Sequence, residues 1–342
     1  MARNLNCSAP RRQTDWKAVF KNVYIYVVLF CIVTIFSVMK LDEVSFFGRG
    51  HFLGKDSLIH LMRMSVPIMT LSGGFTLLMI SGHMDLSVGS AMSLSSVVFA
   101  WLVLNGVSLP LAMLVTVALG VVLGLINGYL VMKLRITPVI ATLVTLNIFK
   151  GVALLIVPDG ISGIKSTDTQ TMPAFISDYA RKPLLLGLPA AFYVAVALIL
   201  ILVIVQRRTI LGKYAAAIGG NRTAAELSGI NAVKIGWILY VIVGVLAAFA
   251  GFARASYMSL GDPLSGDGME TDLIIAVLLG GTAFSGGEGS VAKTIVGALI
   301  IMCMTTGLMT VIEPFYQMFF KGAVLILAVT LNHLLVRQKV CA

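Results

Sequence analysis

The sequence predicts an all-α, polytopic membrane protein of about ten transmembrane helices, and three observations carry that prediction. The 342 residues are 58% hydrophobic and only 12% charged, with a mean hydropathy of +0.97, more than a water-soluble domain keeps in solution. Apolar stretches of about 17 to 25 residues recur along the chain, each long enough to cross a hydrocarbon core about 30 Å thick as a helix that satisfies its own backbone. These runs are continuous rather than alternating, which disfavours a membrane β-barrel.

Taken in order, the spans fall at about 22–39, 62–81, 86–104, 109–132, 137–157, 188–205, 235–256, 272–284, 291–312 and 315–336. They divide the chain into a basic segment 1–22, one membrane domain 23–336 and a tail 337–342. The first span follows a basic segment as a signal peptide would. Phe36-Ser-Val-Met-Lys40 has no good small-residue cleavage site, so the span is expected to remain.

Basic residues concentrate in cytoplasmic connections. With the N-terminus inside, the pieces 1–22, 133–135, 206–234, 285–293 and 337–342 hold 15 Lys and Arg, against 7 in 40–63, 158–187 and 257–271. Both termini are therefore expected in the cytoplasm, and the net charge of +10 reflects topology rather than nucleic-acid binding. The four cysteines, Cys7, Cys31, Cys303 and Cys341, are scattered and lack metal-ligand spacing, suggesting neither a disulfide framework nor a zinc site.

Two spans are interrupted. Ser81-Gly-His-Met-Asp-Leu-Ser-Val-Gly-Ser90 sets an aspartate, a histidine and glycines where flanking sequence looks like membrane span, and Leu279-Gly-Gly-Thr-Ala-Phe-Ser-Gly-Gly-Glu-Gly-Ser290 does the same late in the chain. Gly-broken segments in two halves point to a transporter built from repeats around a central path. Asp85 has two readings, a carrier of a proton or cation, or a cap on the helix beginning at Leu86. Capping is favoured, since a relay would need acidic partners that neighbouring spans lack.

The connection 206–234 reads as a short structured helix, with Thr223 and Glu226 forming a capping box, Gly219-Gly220-Asn221 a turn before it and Gly229 a stop after it. It is either a grip for a partner protein or a basic loop anchoring its spans. Residues 158–187 show little periodicity and read as a lid, a docking surface or plain linker. Asn127, Thr142, Thr145, Asn147, Thr305 and Thr306 place neutral polar groups within spans, suited to hydroxylated solutes or to interhelical bonds. Lys150, Arg254, Asp272, Glu313 and Lys321 lie mostly near span ends, and His51, His60, His83 and His333 at membrane borders.

Enzyme chemistry finds no foothold. Gly287-Glu-Gly-Ser-Val-Ala-Lys293-Thr294 approaches a phosphate-binding loop, but Ala292 replaces its second glycine and no strand precedes it. There is no H-E-x-x-H and no hydrolytic constellation.

These motifs together resemble the permease subunits of bacterial ATP-binding cassette importers for ribose and related monosaccharides, over nearly all the chain beyond residue 60. Asp85-Leu-Ser-Val-Gly-Ser90 is similar to that family's GGIDLSVGS segment, and "AIGGN" at 217–221 with "AAELSGIN" at 224–231 to its ATPase-contacting loop. "GDGMETDLIIAVLLGGTAFSGGEGSV" at 266–291 and "YQMFFKGAVLILAV" at 316–329 resemble its C-terminal half.

The resemblance implies a type II importer-like fold with two related halves in the bacterial inner membrane. It implies two permease copies or paralogues, cytoplasmic ATP-binding subunits that bind ATP and Mg, and a periplasmic sugar-binding protein, with no cofactor or metal in this chain. It assigns Gly219, Gly220, Asn221, Ala224, Ala225, Glu226, Ser228 and Gly229 to coupling with the ATPase. The polar and Gly-broken pattern makes Asp85, Ser87, Gly89, Asn127, Asn147 and Thr305 candidates for the path or helix break, and Asp262, Asp267 and Glu270 on an external connection are candidates for docking the binding protein. His83-Met84 departs from the family's Gly-Ile, and Thr305-Thr306 from its usual asparagine. The rival expectation is a proton-coupled secondary transporter using Asp85.

Overall fold

The structure, a computed structural model, describes residues 25–26, 29–30, 33–34, 55–157, 164–165, 173–309, 316, 319–324, 326 and 330. The expected spans 22–39 and 315–336 lie mostly outside the described residues. In chain order the helices are α1 (Lys55–Ile80), α2 (Val88–Leu104), α3 (Leu109–Gly128), α4 (Pro138–Ile156), α5 (Ala174–Arg181), α6 (Ala190–Arg208), α7 (Ile210–Gly220), α8 (Arg222–Leu227), α9 (Ala232–Met258), α10 (Met269–Leu279) and α11 (Val291–Met309). Six of the described helices are long and apolar enough to cross a membrane, and α2 is a shorter apolar one.

Helix α9 is the central post, packed against α1, α2 and α3, while α11 packs against α1 and α10, and α4 lies against α2. Small residues bring the α3–α9 axes together. A Cβ on Gly120 would strike the Gly244 carbonyl, and Gly124 lies against the Tyr240 and Val241 backbone. The apolar core runs through this junction, with Phe75, Leu239, Tyr240 and Ala247 fully enclosed. A π-helical turn, Tyr129–Lys133, ends α3, and Arg135 just beyond it lines one cavity with Arg222 at the end of the bundle where α6 runs out in Arg207 and Arg208, the basic end.

Several sequence expectations are corrected. The predicted span 272–284 is the 11-residue α10, at about 16 Å too short to cross alone, because Gly280 and Gly281 stop it. Residues 158–187 include the helix α5, and Ile164–Lys165 pairs antiparallel with Leu260–Gly261 (β1 and β2) at the end opposite the basic one. The turn expected at Gly219-Gly220-Asn221 is helical through Gly220, so two short helices stand in 206–234 rather than one.

Candidate functional site

The first interruption is a non-helical passage between Ile80 and Val88 whose polar groups are paired inside the bundle. Gly82 takes a left-handed φ of 79°, a turn that a side chain would strain. The expected cap at Leu86 is corrected. Helix α2 begins at Val88 with Ser87 as its N-cap residue, and Asp85 acts two residues earlier. Its Oδ1 accepts from the Ser87 backbone N–H at 2.9 Å and the Ser87 hydroxyl at 2.7 Å. Asn127 Nδ2, on α3, donates to Asp85 Oδ2 at 3.1 Å and to Ser87 Oγ at 2.7 Å. Asn127 Oδ1 then accepts from Thr145 Oγ1 on α4 at 2.7 Å.

All four residues are buried. In a low-dielectric interior a closed set of donors and acceptors is stable where a lone carboxylate is costly. The network therefore cements α2, α3 and α4 around the break. Tyr240 Oη on α9 donates to the Met84 carbonyl at 3.1 Å, adding a fourth element.

Sequence alone set His83 at a membrane border; it is in fact 7% exposed, with Nδ1 within 3.0 Å of the Ser81 hydroxyl. It lies outside the spanning helices and faces an open cavity of about 470 Å³ at the basic end, lined also by Arg135, Thr137, Arg222 and Glu226. Burial, and secondarily the Arg222 charge, lower its pKa to about 4.

The second interruption, Gly280–Ser290, folds back against the first. The Gly287 N–H donates to the Ile80 carbonyl at 2.8 Å. Gln206 at the end of α6 clasps the same segment, donating to the Gly289 carbonyl and accepting from the Val291 N–H, both at 2.9 Å. Gly219 of α7 closes the junction: a Cβ there would collide with the Ile80 carbonyl and the Gly287 nitrogen. Gly220, one residue on, has open space around it.

Helix α8 is capped by Asn221, whose side chain accepts from the Ala224 N–H at 3.0 Å. The expected Thr223–Glu226 capping box is thus corrected, since Asn221 occupies the N-cap and Glu226 instead pairs with Arg222 at 2.9 Å. Gly229 stops the helix with a φ of 83°. Ala224, Glu226, Leu227 and Ser228 are exposed and Ala225 is buried.

Of the other sequence-predicted positions, Gly89 meets the Gly266 carbonyl and Glu270, so the 262–268 segment runs inward along α2. Asp262 turns back to accept from the Leu264 N–H at 2.8 Å, and Asp267 pairs with Lys150 at 2.6 Å. Asn147 is exposed on α4 and bonds the Leu143 carbonyl of its own helix, whereas Thr305 is buried on α11 with no side-chain partner among the described residues. Neither joins the Asp85 network. Sequence reasoning missed Gln206, Tyr240 and the pairing of Lys150 with Asp267, and no local pattern signals any of them. Among the described residues no group of three or more His, Cys, Asp or Glu could hold a metal ion.

Residues 57–329 match the family described as branched-chain amino acid transport system / permease component. The chain is 34% identical over 284 residues to the ribose import permease protein RbsC of Escherichia coli (strain K12), covering 83% of this chain and 87% of that one. It is 33% identical over 327 residues to the protein of the same description from Bacillus subtilis (strain 168), covering 94% and 96%. To the D-allose transport system permease protein AlsC of Escherichia coli (strain K12) it is 32% identical over 300 residues, covering 85% and 89%. No solved structure matches.

Proposed function

The chain belongs to the family of transport-system permease components, a family of transport subunits rather than enzymes, and on that premise we propose that it is the membrane subunit of an ATP-driven monosaccharide importer. The family's description speaks of amino acids, but the relatives cited above are named for ribose and allose. A hydroxylated solute also suits the neutral polar groups within the spans better than an amino acid zwitterion does. ATP and Mg belong to partner subunits at the basic end, which faces the cytoplasm of a bacterium. A sugar-binding protein docks at the opposite end, near β1, β2 and Asp262, and a second permease copy or paralogue completes the path.

One observation carries the coupling part of this reading: Gly219 of α7 is wedged against both helix interruptions at once, at Ile80 and Gly287. A partner gripping α8, where Leu227 is 85% exposed, pulls on α7 and so on the two segments that break the membrane helices. Asp85 accepts three hydrogen bonds, which suits a fixed structural carboxylate better than a proton carrier.

The experiment is uptake of D-ribose, D-allose and D-xylose into proteoliposomes holding the permease, its ATPase partner and binding protein. An ATPase inactivated at its hydrolytic site abolishes uptake on this reading. Uptake persisting on a proton gradient alone overturns it in favour of a secondary transporter.

A further inference from the structure

Helix α4 crosses 19 residues but is packed on one side only, against α2 with lesser contact to α3 and the π-helical turn. Its open side is apolar over much of its length, through Ile140, Val144, Ile148 and Val152, yet Asn147, Lys150 and Gly151 interrupt it. These three lie at i, i+3 and i+4, a single helical face. Asn147 is exposed, and Gly151 has nothing within contact distance of where a Cβ would stand. Lys150 meets Asp267 at 2.6 Å with 31% and 50% of the two side chains exposed.

This pair is not at a membrane rim. Lys150 stands about 18 Å from the start of α4 and about 9 Å from its end, with its side chain leaning back toward the start. Asp267 follows Gly266, whose backbone touches Gly89 in the first turn of α2 and whose N–H donates to Ser93 Oγ at 2.8 Å. Charged groups at such depth face protein or water, not lipid. The contrast within the molecule is direct: another ion pair among the described residues, Lys321–Asp272, is shielded, with 22% and 13% of its side chains exposed.

We propose that Asn147, Lys150 and Asp267 form a wetted polar station on the translocation path, where a neutral polyhydroxylated solute exchanges hydrogen bonds as it passes. This rests on the importer reading above, which supplies the second permease copy that encloses the water. The chemistry fits. The ammonium has donors to spare beyond the one given to Asp267, and the carboxylate has acceptor sites free for adjacent hydroxyls. Asn147 spends one N–H on Leu143 and keeps its carbonyl and a second N–H. A net-neutral pair holds neither an anion nor a cation, so it offers sugar hydroxyls passage without trapping ions.

The test places single cysteines at Asn147, Gly151 and Leu114 in a background that lacks Cys7, Cys31 and Cys341 but keeps the buried Cys303. Leu114, 65% exposed on α3, is the apolar comparison. The assembled importer in proteoliposomes is treated with a membrane-impermeant cationic methanethiosulfonate, which modifies only hydrated thiolates. Asn147→Cys and Gly151→Cys are expected to react at least tenfold faster than Leu114→Cys; rates equal to that of Leu114→Cys overturn the proposal. In a second arm the double variant Lys150→Met/Asp267→Leu raises the KM for D-ribose or D-xylose uptake at least tenfold at an equal amount of complex in the membrane. An unchanged KM means the pair only ties α4 to the 262–268 segment, and likewise overturns it. Failure of the importer reading is distinct: the unaltered complex would then show no ATP-driven uptake, while thiol reactivity would still report whether the α4 face is wet.

Discussion

Replacing Asn127 with alanine tests whether the buried network holds the helix break together. The change removes three hydrogen bonds, to Asp85 at 3.1 Å, Ser87 at 2.7 Å and Thr145 at 2.7 Å, among residues none more than 3% exposed. Interhelical hydrogen bonds in membrane proteins are worth about 0.6 kcal/mol on average, and a buried group left unsatisfied costs about 1–3 kcal/mol. Asp85 keeps its two bonds from Ser87 on Oδ1 but loses the Asn127 donor to Oδ2, while Thr145 Oγ1 still reaches the Thr142 carbonyl at 3.2 Å, so the buried carboxylate bears most of the loss. The sum is a destabilisation of about 3–5 kcal/mol for Asn127→Ala and, with one bond lost and the Asn127 carbonyl left unpaired, about 2–4 kcal/mol for Thr145→Val. Detergent-titrated unfolding of the purified chain in mixed micelles reads both. The double variant should lose about 0.5–1 kcal/mol less than the two singles together, since their shared bond is counted twice. Strict additivity, or a loss under about 0.5 kcal/mol for Asn127→Ala, would refute the network as a fastening.

Gly219→Ala, which drives a methyl into the Ile80 carbonyl and the Gly287 nitrogen, should abolish ATP-driven uptake while the partner ATPase still hydrolyses ATP; Gly220→Ala, with open space around it, should transport normally, and equal effects of the two would refute the wedge. Lys321→Met leaves Asp272 as a buried, unpaired carboxylate whose Oδ1 already lacks a partner, so stability should fall by about 3 kcal/mol and recover largely when Asp272→Asn is added. His83 has a folded-state pKa of about 4, below the unfolded value, so protonation favours unfolding. Unfolding free energy should be flat above about pH 6.5 and fall from there toward pH 4 by at most about 1.4 kcal/mol per unit, and His83→Gln should remove that slope.

What could be read in the chain, and what could not, follows from the range of the forces involved. Continuous apolar runs are local, so α3, α4, α6, α9 and α11 were legible within a few residues, whereas α1 was legible at its end but begins seven residues before the expected 62, where Lys55, Asp56, His60 and Arg63 make its first turns polar. The two Gly-rich interruptions stood out because nothing else in a membrane span explains Asp85 or Gly286-Gly287. Cap choice was not legible. Asn221 and Thr223 are both good N-caps, and only the packing of α7 through Gly219 settles where α8 begins. Lys150 and Asp267 are 117 residues apart, and α10 stops at Gly280 within a run that otherwise reads as a continuous span. Thr145 and Asn127 were visible as polar residues within spans, but their bond to one another depends on α3 and α4 meeting at the break.

The two interruptions also explain each other. A break in a membrane helix frees backbone groups that lipid cannot satisfy, and each break here supplies partners to the other's neighbourhood. Ile80, the last residue of α1, loses its helical donor and takes the Gly287 N–H instead. At the start of α11 the Val291 N–H has no helical acceptor, and Gln206 of α6 accepts it while holding the Gly289 carbonyl. Because Gln206 leads through Arg207 and Arg208 directly into α7, the element that fastens the second break is continuous with the one that presses on the first through Gly219. A displacement of α7 of about one ångström therefore cannot be absorbed at one break alone: packed backbone contacts without intervening side chains transmit it to both. Glycine at 219, 286 and 287 makes this stiffness available, since a side chain at any of the three would hold the backbones apart.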